Sequence, residues 1–228
     1  VVLFFVSRRE VKVAEGVERG ASPTQAPNTT AAAKPTHKSP EFVPVVTPWS
    51  FEMSADLEPL VDDGITSDGA ERLGLRTLTI LLRERVFAEL GVPLPPPRLR
   101  LIDGLPPRHI VVALHEVPAL VLKIPDEVHD DEAATWAFST VFGLLLSRAA
   151  DFVGLHETQI LLDKLEGLSP AVVRQVVPKP VTLQLLADVL RRLVEERVSI
   201  RDLRGILEAL GTYGPQEKDP LQLAELVR

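Results

Sequence analysis

The 228-residue chain is 45% hydrophobic and 25% charged, which is long enough and apolar enough for a buried core and unlike a chain disordered throughout. Its 25 basic against 32 acidic side chains leave a net charge of -7 and a pI near 5.3, which argues against phosphate-backbone binding as the main activity. The absence of cysteine excludes disulfides, thiolate metal sites and a cysteine nucleophile, and suits a reducing cytoplasm.

Residues 1-6 (Val1-Val2-Leu3-Phe4-Phe5-Val6) are apolar and run into Ser7-Arg8-Arg9. An apolar end meeting two arginines is what the cytoplasmic end of a transmembrane helix looks like, because positive charge favours the inner side. A short β-strand is the alternative. From Phe4 to Asp56 there is neither Leu nor Ile, whereas both are frequent from Leu57 onward, so a boundary is expected near residue 50. Within residues 7-48, prolines 23, 27, 35, 40, 44 and 48 stand among Ala, Thr and Ser. Such a stretch cannot bury enough apolar surface to offset its ordering entropy and reads as a flexible Pro/Ala/Thr-rich linker.

The folded part is expected to start around Trp49, with residues 49-168 forming a small mixed α/β subdomain. Over 71-90, Leu75, Leu78, Leu82, Val86 and Leu90 recur at helical spacing, with Gly91 and Pro93 as the stop. After the extended Pro95-Pro96-Pro97, Arg98-Leu99-Arg100-Leu101 alternates as a strand does. Ile110 to Leu114 and Ala119 to Ile124 then flank His115-Glu116-Val117-Pro118 as a hairpin. The acidic run Asp126 to Glu132 lacks the glycine turn and ligand spacing of a calcium loop and is expected to be a solvated loop.

Everything further on reads as helix. Ala133 to Val153 and Glu157 to Leu165 are followed by Ser169-Pro170, an N-cap with proline in first helical position, and a helical subdomain is expected over 169-211. Thr182 caps a helix striped by Leu183, Leu186, Leu190, Leu193 and Val194. Ser199 and Asp202 form an S-x-x-D cap ahead of Leu203, Ile206, Leu207 and Leu210, with Gly211 as the end. Asp219-Pro220 restarts a helix that reaches Arg228 in mid-pattern, so residues 212-228 are expected to begin a further C-terminal subdomain.

Motifs for chemistry are sparse. No HExxH, GxSxG, Walker or GxGxxG pattern occurs among the 228 residues. His109 and His115, six apart, would share a face of an unbroken strand but lack a third ligand, and the hairpin interrupts their register. His156-Glu157 reads as a polar helix start. The helices after Thr182 resemble a helix-turn-helix in outline, yet residues 151-228 carry 12 acidic against 10 basic side chains. No catalytic residue, cofactor or metal is therefore expected. Arg201, Asp202 and Arg204, with Glu208 on the same helix, make a dense charged patch beside a buried stripe, where fixed pairs or subunit contacts are the functional reading and an ordinary solvated face the other.

The residues His156-Glu157-Thr158-Gln159-Ile160-Leu161-Leu162-Asp163, Val176-Val177-Pro178, Glu196-Arg197-Val198 and Ile200-Arg201-Asp202-Leu203-Arg204-Gly205-Ile206-Leu207 resemble the FHIPEP family, the export-gate proteins of flagellar and virulence type III secretion. The resemblance runs from about 152 to 228, and Leu57-Glu58-Pro59-Leu60-Val61-Asp62 and Pro96-Pro97-Arg98-Leu99-Arg100 are similar to the family's first cytoplasmic subdomain. It implies an inner-membrane protein whose cytoplasmic region forms a nonameric ring beneath the secretion channel. It also implies partners: secretion chaperone-substrate complexes, the stalk protein of the export ATPase and other export-gate membrane proteins, with no nucleic acid and no enzymatic activity. Between Val128 and Ala133 the family carries a longer passage, where only Asp130-Asp131-Glu132 stands here.

The expected fold class is thus α+β, a small mixed α/β subdomain followed by a helical one, with Arg201, Asp202, Arg204 and Glu208 as the expected subunit or partner contacts. The rival readings are a soluble acidic helical adaptor that docks other proteins through its apolar stripes, and a DNA-binding regulator.

Overall fold

In the computed structural model, residues 45-66 and 69-228 are described. The expected membrane-helix end at 1-6 and nearly all of the expected linker at 7-48 lie outside them. The first element is a strand that periodicity did not single out, β1 (Trp49–Ser54), whose Trp49, Phe51 and Met53 point into the core. The Trp49 indole N–H donates to the Pro95 carbonyl at 2.7 Å, so even its polar atom is satisfied. A 3-10 turn, Ala55–Leu60, buries Leu57 and Leu60, and the two-residue strands β2 (Gly64–Ile65) and β3 (Glu71–Arg72) pair antiparallel.

The helix expected over 71-90 is α1 (Leu75–Leu90). Its start shifts because Glu71 and Arg72 pair in β3 and because Asp63 caps the helix from a distance, accepting from Gly74 N–H at 2.7 Å and Thr77 Oγ1 at 2.9 Å. Gly91 ends it at φ +78°, its N–H donating to the Phe87 carbonyl. Next come β4 (Arg98–Ile102), β5 (His109–Leu114) and β6 (Val117–Lys123), in sheet order β4-β1-β5-β6. Only the β1-β4 pair is parallel. The hairpin turn is shorter than expected. His115 and Glu116 turn at φ +50° and +65°, and Val117 and Pro118 join β6 through an irregularity opposite Val112/Ala113.

The long helix starts earlier than expected, as α2 (Asp130–Ser147). Asp130, Asp131 and Glu132 form its first turn rather than a loop, because carboxylates are favoured at the positive end of a helix dipole. A 3-10 turn, Ala149–Phe152, leads to α3 (Leu155–Leu168) and α4 (Pro170–Val176). Then α5 (Leu183–Glu195) follows, capped as expected by Thr182, whose Oγ1 accepts from Leu185 N–H. In α6 (Leu203–Tyr213) the helix passes through Gly211 instead of ending there, since Gly211 lets α6 approach α4 closely: a Cβ would lie 3.1 Å from Val176 Cγ2. The last element is α7 (Pro220–Val227), capped by Asp219.

The α+β class is as the sequence predicts. Trp49, Phe51 and Met53 meet α1 and α2 on one side of the sheet, and the core continues without a break through Phe152, Leu162, Leu190 and Leu207 to Leu223. The expected boundary after residue 168 separates α3 from α4 and α5, the helices it packs against. Residues 212-228 supply α7, which packs on α5 and α6 rather than standing apart.

Candidate interaction surfaces

The four expected contact residues are close in sequence but differently employed. Backbone pairing sets their positions: Ile200 N–H donates to the Leu90 carbonyl at 2.9 Å, tying the 199-201 segment to the end of α1. Arg201 follows it across, its Nη1 donating to the Ala88 carbonyl at 3.0 Å, one of the last carbonyls of α1. Because this segment is tied to α1, the helix begins only after Asp202, and Asp202 is the cap, accepting from Gly205 N–H at 2.9 Å. Ser199, expected as the cap, instead accepts from Arg201 N–H at 3.4 Å. Arg204 and Glu208 form an i,i+4 pair at 2.9 Å on the open face of α6, and the hydrogen bond to Glu208 raises the Arg204 pKa further. Arg201 and Asp202 thus serve the chain's own structure, and Arg204 with Glu208 remain on the surface.

Arg108, at φ +60°, organises the connection between β6 and α2. Its guanidinium donates to Asp130 Oδ1 at 2.7 Å, to the Pro125 carbonyl at 3.1 Å and to the Val128 carbonyl at 2.6 Å. Its backbone N–H donates to Asp56 Oδ2 at 2.9 Å. Burial alone would raise the Asp56 carboxyl, but hydrogen bonds from Ser54 and from Arg108 N–H outweigh it and hold the group below the ordinary aspartate range.

An open groove of about 740 Å³ lies between α1 and the chain from Pro96 to Leu101. Met53 lies at its floor, Arg76, Ile80 and Arg83 on the helix side, and Leu99 and Leu101 on the strand side. The strand is β4, the outermost of its sheet. Ile80 is 48% exposed and Leu101 40%, so the groove has an apolar lining open to water.

The histidines are not gathered. His109 Nδ1 lies 2.8 Å from the Pro107 carbonyl, whereas His115 sits in the turn at the far end of β5 with its ring stacked 5.9 Å from that of Phe152. Among the described residues no three His, Asp or Glu side chains are grouped to hold a metal ion. The stripes that an adaptor would present, Leu186, Leu190 and Leu193 on α5 and Leu207 and Leu210 on α6, are buried in the chain's own core.

The FHIPEP family model matches residues 128–228. The Xanthomonas euvesicatoria protein hrpC2 is 34% identical over 190 residues, covering 83% of this chain and 27% of that protein. Over residues 128–228 the chain matches the FHIPEP family. Among solved structures, the Chlamydia pneumoniae CdsV protein matches with a TM-score of 0.73 at 22% identity, covering 83% of this chain and 66% of that one. The nonameric EscV cytosolic domain from the type III secretion system matches with a TM-score of 0.63 at 22% identity, covering 82% and 64%. At that identity the likeness is one of fold. The chain spans about a third or less of the length of curated relatives such as hrpC2.

The passage expected to be shortened near 128-133 holds the end of the Arg108-bound connection and the first turn of α2. Sequence reasoning overlooked Arg108, which follows two prolines and belongs to no pattern. It also overlooked the groove, although a signal existed: Arg76 and Arg83 are seven apart on α1, and Arg98 and Arg100 two apart on β4. Among the described residues no helix is long and apolar enough to cross a membrane.

Proposed function

We propose that this chain is part of the cytoplasmic region of a type III secretion export gate, in which copies form a ring that receives chaperone-bound substrates and passes them to the membrane channel. The observation that carries the reading is the FHIPEP match over 128–228 together with a fold shared with a cytosolic domain solved as a nonamer. The work is binding rather than catalysis. On this reading the protein resides in the bacterial inner membrane with this segment facing the cytoplasm. Its partners are further copies of itself, the stalk protein of the export ATPase and other gate proteins. Ring contacts run through the open face of α6, where the Arg204–Glu208 pair is available to a neighbour.

The test is electron microscopy of the protein extracted in detergent from its own membrane, with export assayed in the same strain. Nine-fold rings, and loss of type III export on deletion of the gene, are the expected results. Particles that are only monomeric, or export that continues without the gene, would overturn the reading. Reversing the pair singly, as Arg204→Glu, should weaken ring formation, while the double exchange Arg204→Glu with Glu208→Arg should restore part of it.

A further inference from the structure

The groove between α1 and β4 has a construction that the ring reading does not use. An edge strand presents a row of unpaired N–H and C=O groups, and an extended peptide can complete it as an added strand. The two edges of this sheet differ in how they are protected. On the far edge β6 carries Pro118, which cannot donate to a further strand; β4 has no proline between Arg98 and Ile102. An added strand on β4 would lie beside α1, with its side chains alternating between two surroundings. The register pairs Phe51 with Leu99 and Met53 with Leu101, so Leu99 and Leu101 face the helices and Arg98 and Arg100 the opposite side of the sheet. Side chains turned inward would meet Leu99, Leu101 and Ile80. Those turned outward would meet Arg98 and Arg100.

Charge narrows the occupant. Arg100 is 3.9 Å from Glu52 and Arg76 is 2.8 Å from Asp62, so those two are partly neutralised. On the face that Arg98 and Arg100 share with Glu52 and Glu116, Glu52 is taken by Arg100 and Glu116 accepts from Thr47 N–H at 3.2 Å, which leaves Arg98 without a carboxylate partner among the described residues; no acidic side chain lines the groove itself. We propose that the groove binds an extended segment of a partner protein in which apolar and acidic side chains alternate, adding it as a strand to β4 with its carboxylates on Arg98 and Arg100. The inference stands independently of the secretion-gate reading.

The experiment uses the whole 228-residue chain and a labelled peptide of about seven residues alternating valine and glutamate, followed by fluorescence anisotropy. Saturable binding is expected, weakened about tenfold or more by Arg98→Glu with Arg100→Glu and by added salt. N-methylation of alternate peptide amides should abolish binding in one phase of the alternation and spare it in the other, because only one set of amides faces β4. A valine–lysine peptide should not bind. Absence of binding, equal binding of the lysine peptide, indifference to the double reversal, or equal tolerance of both methylation patterns would each overturn the proposal. A further contrary outcome has its own signature: if the arginines serve only to keep β4 from pairing with other edges, Arg98→Val with Arg100→Val will make the chain self-associate without binding peptide.

Discussion

Arg108 carries more of the local architecture than any other charged side chain here. Three carbonyl or carboxylate groups within residues 125-130 accept from its guanidinium, and its own carbonyl accepts from Ile124 N–H. Arg108→Ala removes that set and should cost about 1.5–3 kcal/mol, typical of bonds from a charged donor, with faster amide exchange over 124-129 as the local readout. Arg108→Gly loses the same bonds but accepts φ +60° freely, so it should fall short of the alanine variant's loss by about 1 kcal/mol in chemical denaturation. Asp63 offers a pH test. Hydrogen bonds from Gly74 N–H and Thr77 hold its carboxyl below the usual range. A depressed carboxyl stabilises the fold above its unfolded pKa, and that contribution disappears as the pH falls through the folded value. Asp63→Asn should therefore melt earlier than the parent near neutrality, with the gap closing below about pH 4.

At the level of elements, the sequence was legible wherever periodicity and caps acted together. The α5 stripe and the Thr182 cap appear as read, because the apolar positions recur over three turns and a hydroxyl stands directly before them. The starts of α1 and α6 were not legible, and for one physical reason: each is fixed by a partner distant in sequence. Asp63 caps α1 across a loop, and the Ile200 bond to Leu90 holds back the start of α6 until Asp202. β1 escaped notice because Trp49, Phe51 and Met53 alternate over only six residues with serines that are themselves buried. α7 illustrates the opposite error, a correctly read helix assigned to the wrong neighbourhood. Leu223 is fully buried against α5 and α6, so Leu223→Ala should cost about 2–5 kcal/mol, as a core leucine does; a loss below about 1 kcal/mol would place α7 outside the core after all.

Across the whole molecule, the sheet with α1 and α2 shares one core with the later helices, and calorimetry of the 228-residue chain should show a single cooperative transition for the folded part. At Gly91 the end of α1 lies directly against the 199-201 segment. A Cβ there would lie 2.7 Å from Arg201 N, and φ is +78°, so Gly91→Ala is strained twice over and should cost about 1–3 kcal/mol while leaving the transition single. The candidate site was least legible at this scale. The groove joins α1 to β4, two elements that the sequence predicts separately, and only their packing sets Arg76, Ile80 and Arg83 opposite Leu99 and Leu101.

Arg201 is already spoken for by the end of α1. A neighbouring subunit that engaged its guanidinium would first have to free it from the Ala88 carbonyl and leave that carbonyl to water. Association through this side chain would therefore be thermodynamically linked to the joint between the end of α1 and the 199-201 segment. Whatever loosened the joint would strengthen such a neighbour's grip, and by reciprocity a neighbour bound there would make the joint easier to open.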